Sequence, residues 1–250
     1  MIGMLLWKDP AEGKRQKTVR VVECTILHMR FLCVEVVKGT KTPEAVLRRR
    51  VTSAARRLRK SGVTQVVLPE QFSYGVQLEK VGVRPVSTLP LRCALAAELV
   101  RTGLSTVTAA PGGMRVAVAG EHLTGELVRT VTELALRHRY VLLALPYGGE
   151  EFCRQLRREY GVSVLLGPTK EQMEEADALV LFREQPDQHQ NNPVVLRLYG
   201  GGEEALPPLS LPPAMEEQLP SGTNRPQLLS ALLTAGALRR GQITVGVAPL

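Results

Sequence analysis

The chain has 250 residues, of which 44% are hydrophobic and 22% charged, and carries a net charge of +8. That is enough chain for one large or two smaller domains with cores of their own, and the balance excludes a disordered or collagenous class. No apolar run approaches the roughly 18 residues of a membrane-spanning helix.

Residues 1–7 are apolar but short. They lack a basic start and a cleavage site, and a polar stretch, 8–17, follows at once, so no leader is expected and the location expected is cytoplasmic. Residues 18–37 are rich in β-branched side chains and read as one long strand or as a hairpin turning near 28–30. The break at 39–42 is followed by Pro43, which suits the first turn of a helix. The helix expected over 43–60 is amphipathic. Leu47, Val51, Ala54 and Leu58 fall on one stripe, and Arg49, Arg50, Arg56, Arg57 and Lys60 lie opposite. Such a face either meets an anionic partner, nucleic acid included, or is the solvated side of a helix packed on a sheet. Base stacking is not suggested, because no aromatic residue interleaves with the arginines.

Ser61-Gly62 ends that helix, and 63–68 reads as a short buried strand. A short helix over 71–81, a brief strand over 84–88 and a helix over 90–102 follow. Helix followed by buried strand makes this half α/β as well. The small, turn-forming stretch 108–113 is the best linker. The division expected is therefore an N-terminal α/β domain, 1–107, and a second domain, 114–250.

The second half is more regular. Strands are expected at 115–119, 140–145, 162–166, 178–182, 194–198 and 243–247. Helices are expected from 125 to about 137 and at 149–160, 170–176 and 226–239. Short continuous apolar runs of this kind belong to a parallel sheet covered by helices on both faces. Residues 114–125 carry the strongest signal. The apolar run 116–119 ends in Gly120, a second glycine follows at Gly125, and a helical pattern opens there.

This strand, turn and helix resemble the opening of a Rossmann-type, dinucleotide-binding domain, whose fingerprint is G-x-G-x-x-G. Six strands with this spacing suit a doubly wound sheet of order 3-2-1-4-5-6. The resemblance assigns Gly120 the tight turn and Gly125 the close packing of helix on strand. The middle glycine, which lets the backbone approach a pyrophosphate, is replaced by His122. Glu121 stands beside the helix N-terminus, where a phosphate about 5 Å away would meet roughly 3 kcal/mol of repulsion at an effective dielectric of ~20. The acidic residue expected on the ribose is absent, since the second strand ends Leu145-Pro146-Tyr147. NAD(P) binding is therefore disfavoured and no cofactor is expected.

In such sheets ligands bind beyond the carboxyl ends of the strands. The loops there bring Gly120, Glu121, His122, Thr124 and Gly125 toward Tyr147 and Gly148, and these form the candidate cleft. His122 is the candidate general base. Gly167 to Thr169, Arg183, Glu184 and Tyr199 belong to neighbouring loops of the same edge. Shikimate-dehydrogenase-like and glutamyl-tRNA-reductase-like proteins are similar in architecture, pairing a catalytic domain with a Rossmann domain in this order. Neither family's catalytic motif occurs in 1–107, so no residue role is carried over. Cys24, Cys33, Cys93 and Cys153 form no C-x-x-C pair and read as buried free thiols rather than as metal ligands or a disulfide framework. The leading expectation is a non-catalytic binding or regulatory protein, a pseudoenzyme, for a small anionic ligand or a protein partner. The alternatives are an enzyme using a nucleotide-derived cofactor and a nucleic-acid-binding protein acting through the basic helix.

Overall fold

The computed structural model describes residues 1–10, 18–107, 113–184, 191–200 and 204–246. The chain forms two compact units. Met1–Leu91 and Leu209–Thr244 make one, and Arg92–Pro208 makes most of the other.

The first unit holds a five-stranded sheet with strand β1 (Ile2–Lys8) at its centre. β2 (Val19–Ile26) and β3 (Met29–Val37) are an antiparallel hairpin. The two residues between them, Leu27 and His28, have positive φ values of 44° and 67°. Two successive positive φ values twist a tight turn in the sense of the flanking strands. The hairpin reading of 18–37 therefore holds, with the turn one residue earlier than the sequence suggests. β3 pairs in parallel with β1. Residues 1–7, read only as a short apolar start, are thus a central strand, with Met4 and Leu5 fully buried.

α1 (Glu44–Lys60) follows Pro43 and buries the expected stripe, Leu47, Val51, Ala54 and Leu58, and Ala55 beside it. Two of its arginines are tied to the sheet: Arg50 donates to the Val37 carbonyl and Arg57 to that of Val19. β4 (Gln65–Val67) pairs with β1, and α2 (Gly75–Glu79) leads to β5 (Arg84–Pro85) at the sheet edge. The sheet order is β2-β3-β1-β4-β5. Cys24 and Cys33, near-neighbours across the hairpin, form a disulfide. This corrects the expectation of four free thiols. Strand pairing sets their Cα atoms 6.3 Å apart, a proximity that spacing along the chain does not reveal. Cys93 and Cys153 are free.

α3 (Leu89–Ala94) and α4 (Ala96–Leu104) replace the single helix expected over 90–102, with Leu95 (φ −100°, ψ 9°) between them. The second unit's sheet contains β6 (Arg115–Ala119), β7 (Tyr140–Ala144), β8 (Val164–Leu166), β9 (Ala178–Leu181) and β10 (Val194–Arg197). All its pairings are parallel, and the order is β10-β9-β6-β7-β8. Counted from β6, that is 3-2-1-4-5, the doubly wound order read from the sequence for its first five strands. α5 (Gly125–Ala135), α6 (Gly149–Tyr160) and α7 (Lys170–Glu174) are the crossovers. One layer of the core gathers Ala117, Ala119, Met173, Leu179 and Leu181. Asn192 closes the end of α7, its amide donating to the carbonyls of Met173 (2.9 Å) and Ala176 (2.8 Å).

The expected sixth strand is not part of this sheet. After β11 (Leu209–Ser210) and α8 (Pro213–Glu216), the chain runs into α9 (Arg225–Thr234), which belongs to the first unit. There the buried Gln227 side chain accepts from the Leu68 amide at 2.9 Å, and the Asn224 amide donates to the Leu68 carbonyl at 2.7 Å. With its preceding helix committed elsewhere, β12 (Thr244–Val245) stays short and outside the five-stranded sheet. The compact units are therefore not the consecutive segments 1–107 and 114–250. Five of the six residues expected to link those segments, 108–112, lie outside the described residues. No helix among the described residues is long and apolar enough to cross a membrane.

Candidate functional site

Parallel strands put every loop that follows a strand of the second sheet at one edge. Backbone bonds hold four of these loops together. The Gly120 amide donates to Ala144 O (3.0 Å), that of Gly167 to Leu143 O (3.0 Å), that of Phe182 to Ala119 O (2.8 Å) and that of Leu198 to Leu181 O (2.6 Å). The sheet changes direction between β6 and β9, so Gly120 and Arg183 stand at the switch point where doubly wound sheets open a crevice.

The glycines do not act as the fingerprint assigns them. A Cβ on Gly120 would lie 2.3 Å from Leu127 Cδ1, whereas one on Gly125 would meet nothing within 4 Å. Close packing of α5 on β6 is thus the work of Gly120, and Gly125 merely opens the helix. Thr124 is the N-cap, its hydroxyl accepting from the Leu127 amide at 3.2 Å. One of the donors that a pyrophosphate would use is therefore already satisfied. Glu126 adds an acid to the first turn.

His122 stands in solvent. Its side chain is 75% exposed, with Nε2 4.0 Å from a Glu121 carboxylate oxygen that is itself well exposed. Tyr147 is also exposed, at 78%. Gly148 is the left-handed N-cap of α6 (φ 77°), and a Cβ on it would come within 4.0 Å of Leu123 Cβ, so the loops after β6 and β7 approach one another. The fold thus brings the sequence-predicted residues to one edge, but His122 and Tyr147 face solvent there.

Arg183 stands at this edge as well, and the sequence assigns it no role. Its Nε is buried and has no hydrogen-bond partner among the described residues. A buried guanidinium nitrogen left unpaired is costly, and an anion at the switch point would satisfy it. No sequence signal marks it out, because Phe-Arg-Glu after an apolar strand is unremarkable as a pattern.

A concavity elsewhere in this unit carries no signal in the sequence. It has a volume of about 600 Å³ and lies at the opposite, amino end of β7 and β8, lined by His138, Tyr140, Val162, Val164 and Leu165 among others. Burial, assisted by the neighbouring Arg137 charge, holds the His138 imidazole below its ordinary pKa. Glu98 on α4 behaves differently. Burial would raise its pKa, but bonds from Arg137 (2.7 Å) and Arg101 (2.8 Å) outweigh that and hold it below the usual carboxylate range.

No family model matches the chain, and no curated protein matches it. Solved structures similar to it include L-tryptophan dehydrogenase from Nostoc punctiforme, with 13% identity over 60% of this chain and 44% of that one, TM-score 0.29. The apo-structure of D-lactate dehydrogenase from Escherichia coli shares 15% identity over 58% and 56%, TM-score 0.31. Aspartate transcarbamoylase from Trypanosoma cruzi, in complex with carbamoyl aspartate and phosphate, shares 14% over 80% and 71%, TM-score 0.28. The chain spans well under two thirds of the length of either dehydrogenase. The Rossmann-like, doubly wound character of the second unit stands on its own strand order.

Proposed function

We propose that the chain is a non-catalytic binding or regulatory protein whose Rossmann-like unit has lost the dinucleotide turn. The observation that carries this reading is the closed N-terminus of α5. Thr124 takes the Leu127 amide, Glu126 stands in the first helical turn and Glu121 lies in the loop just before it. A helix N-terminus attracts anions through free N–H groups and its positive dipole end. Here an internal cap engages one donor and two acids oppose the charge.

The test is thermal unfolding with NAD, NADP and their reduced forms at millimolar concentration. No shift is expected. A ligand at 100 times its Kd would add about 2.7 kcal/mol, which melting resolves, so a clear shift in the unaltered protein overturns the proposal.

One observation favours the second reading, an enzyme using a nucleotide-derived cofactor. The buried Arg183 Nε, which has no hydrogen-bond partner among the described residues, supplies positive charge at the switch point. A dinucleotide shift that disappears in Arg183→Met would establish that reading in place of the first.

A further inference from the structure

Helix α1 carries more arginine than its packing uses. Arg50 and Arg57 are bound to carbonyls of the sheet. Arg48, Arg49 and Arg56 instead line an open groove of about 410 Å³ with Thr52, Ser53 and two residues at or just beyond α2, Gln77 and Lys80. Arg48 is engaged by Glu44, one turn earlier. Arg49, Arg56 and Lys80 have no hydrogen-bonding or acidic partner among the described residues. The groove therefore concentrates three cations that no described residue compensates, and two hydroxyls lie between the arginines on the same helix.

We propose that this groove binds the phosphodiester backbone of a nucleic acid. Arg49 and Arg56 are two turns apart, about 10.5 Å along the helix, so one compact phosphate does not span them and a chain of phosphates does. Guanidinium groups take phosphate oxygens in pairs, and the Ser53 hydroxyl can donate to the same oxygens, while that of Thr52 donates to the Arg48 carbonyl at 2.8 Å. The lining is polar throughout, with no aromatic or aliphatic wall against which a base or a small organic body could pack. Binding is thus sequence-independent and electrostatic. An anionic membrane fits less well. The groove is concave, and the apolar stripe of α1 that could enter a bilayer is buried in the unit's own core. The proposal is separate from the reading of the α5 turn and survives or fails without it.

The experiment is fluorescence anisotropy of the full chain with a labelled 20-base-pair duplex and a labelled single strand of mixed sequence. Three phosphate contacts predict a loss of affinity of about 40-fold between 50 and 200 mM salt. The triple variant Arg49→Glu/Arg56→Glu/Lys80→Glu should lose binding at least tenfold at 50 mM salt. Arg154→Glu/Arg157→Glu/Arg158→Glu, on the exposed face of α6, makes the same change in net charge and should lose less than threefold. If the first variant melts early, Arg49→Gln/Lys80→Gln replaces it, with a loss of at least threefold expected. No binding by the unaltered chain at 50 mM salt overturns the proposal. So does equal weakening by the α6 variant, and so does preference for phosphatidylserine vesicles over both nucleic acids.

Discussion

Gly120 and Leu127 occupy what is nearly a single space: a Cβ on the glycine would lie 2.3 Å from the leucine's Cδ1. The first turn of α5 therefore sits against the end of β6 with no room for a side chain at position 120. Gly120→Ala should destabilise the protein by about 1–3 kcal/mol, the range for overpacking a tight core. Gly125→Ala should be neutral or stabilising by up to about 1 kcal/mol, since position 125 is open and needs no positive φ. Chemical denaturation of the two variants checks the contrast. Equal losses would return the packing role to Gly125.

If the cap and the acids close α5 to anions, removing them should open it. The variant Glu121→Ala/His122→Gly/Thr124→Ala takes away a charge, an exposed side chain and the acceptor on the Leu127 amide. It should cost about 0.5–2 kcal/mol through the lost cap and gain millimolar affinity for ADP. Isothermal titration reads the outcome. An uncapped but folded variant that still ignores ADP would show that the turn is not a nucleotide site even in geometry.

His138 gives the second unit a pH dependence. Its folded-state pKa is lowered, by burial first and by Arg137 second. As pH falls through the ordinary histidine range near ~6.5, the unfolded chain takes the proton before the folded one does. The stability linked to this group is thus complete above that range and is lost as pH falls toward the lowered folded value. Urea unfolding between about pH 7.5 and 5.5 should show the decline, and His138→Gln should flatten it. Identical slopes in the two proteins would remove His138 as the source.

The disulfide across the β2–β3 hairpin predicts a thiol count. Unfolded without reductant, the protein should expose Cys93 and Cys153 only, and after reduction all four cysteines should react. A count of four without reductant would return Cys24 and Cys33 to the free thiols that their spacing suggests.

What the sequence determined by itself is local. The apolar run into Gly120 marks β6, and the stretch from Gly149 to the left-handed Gly161 marks α6 residue for residue. The stripe of Leu47, Val51, Ala54 and Leu58 marks the buried face of α1. Short apolar strands alternating with helices also implied the doubly wound order of β6 to β10. These signals are legible because periodicity and glycine chemistry act over a few residues.

The tertiary structure alone decided what depends on distant partners. It made residues 2–8 a central strand, because β3 and β4 close on both sides of them. It carried α9 back to the first unit, where Gln227 satisfies a backbone amide 159 positions away. It moved the packing role from Gly125 to Gly120, and it divided the arginines of α1 between the sheet and the open groove. Each of these is settled by which surfaces bury against which, and a buried group draws its partner from wherever the fold supplies one rather than from its neighbours in sequence.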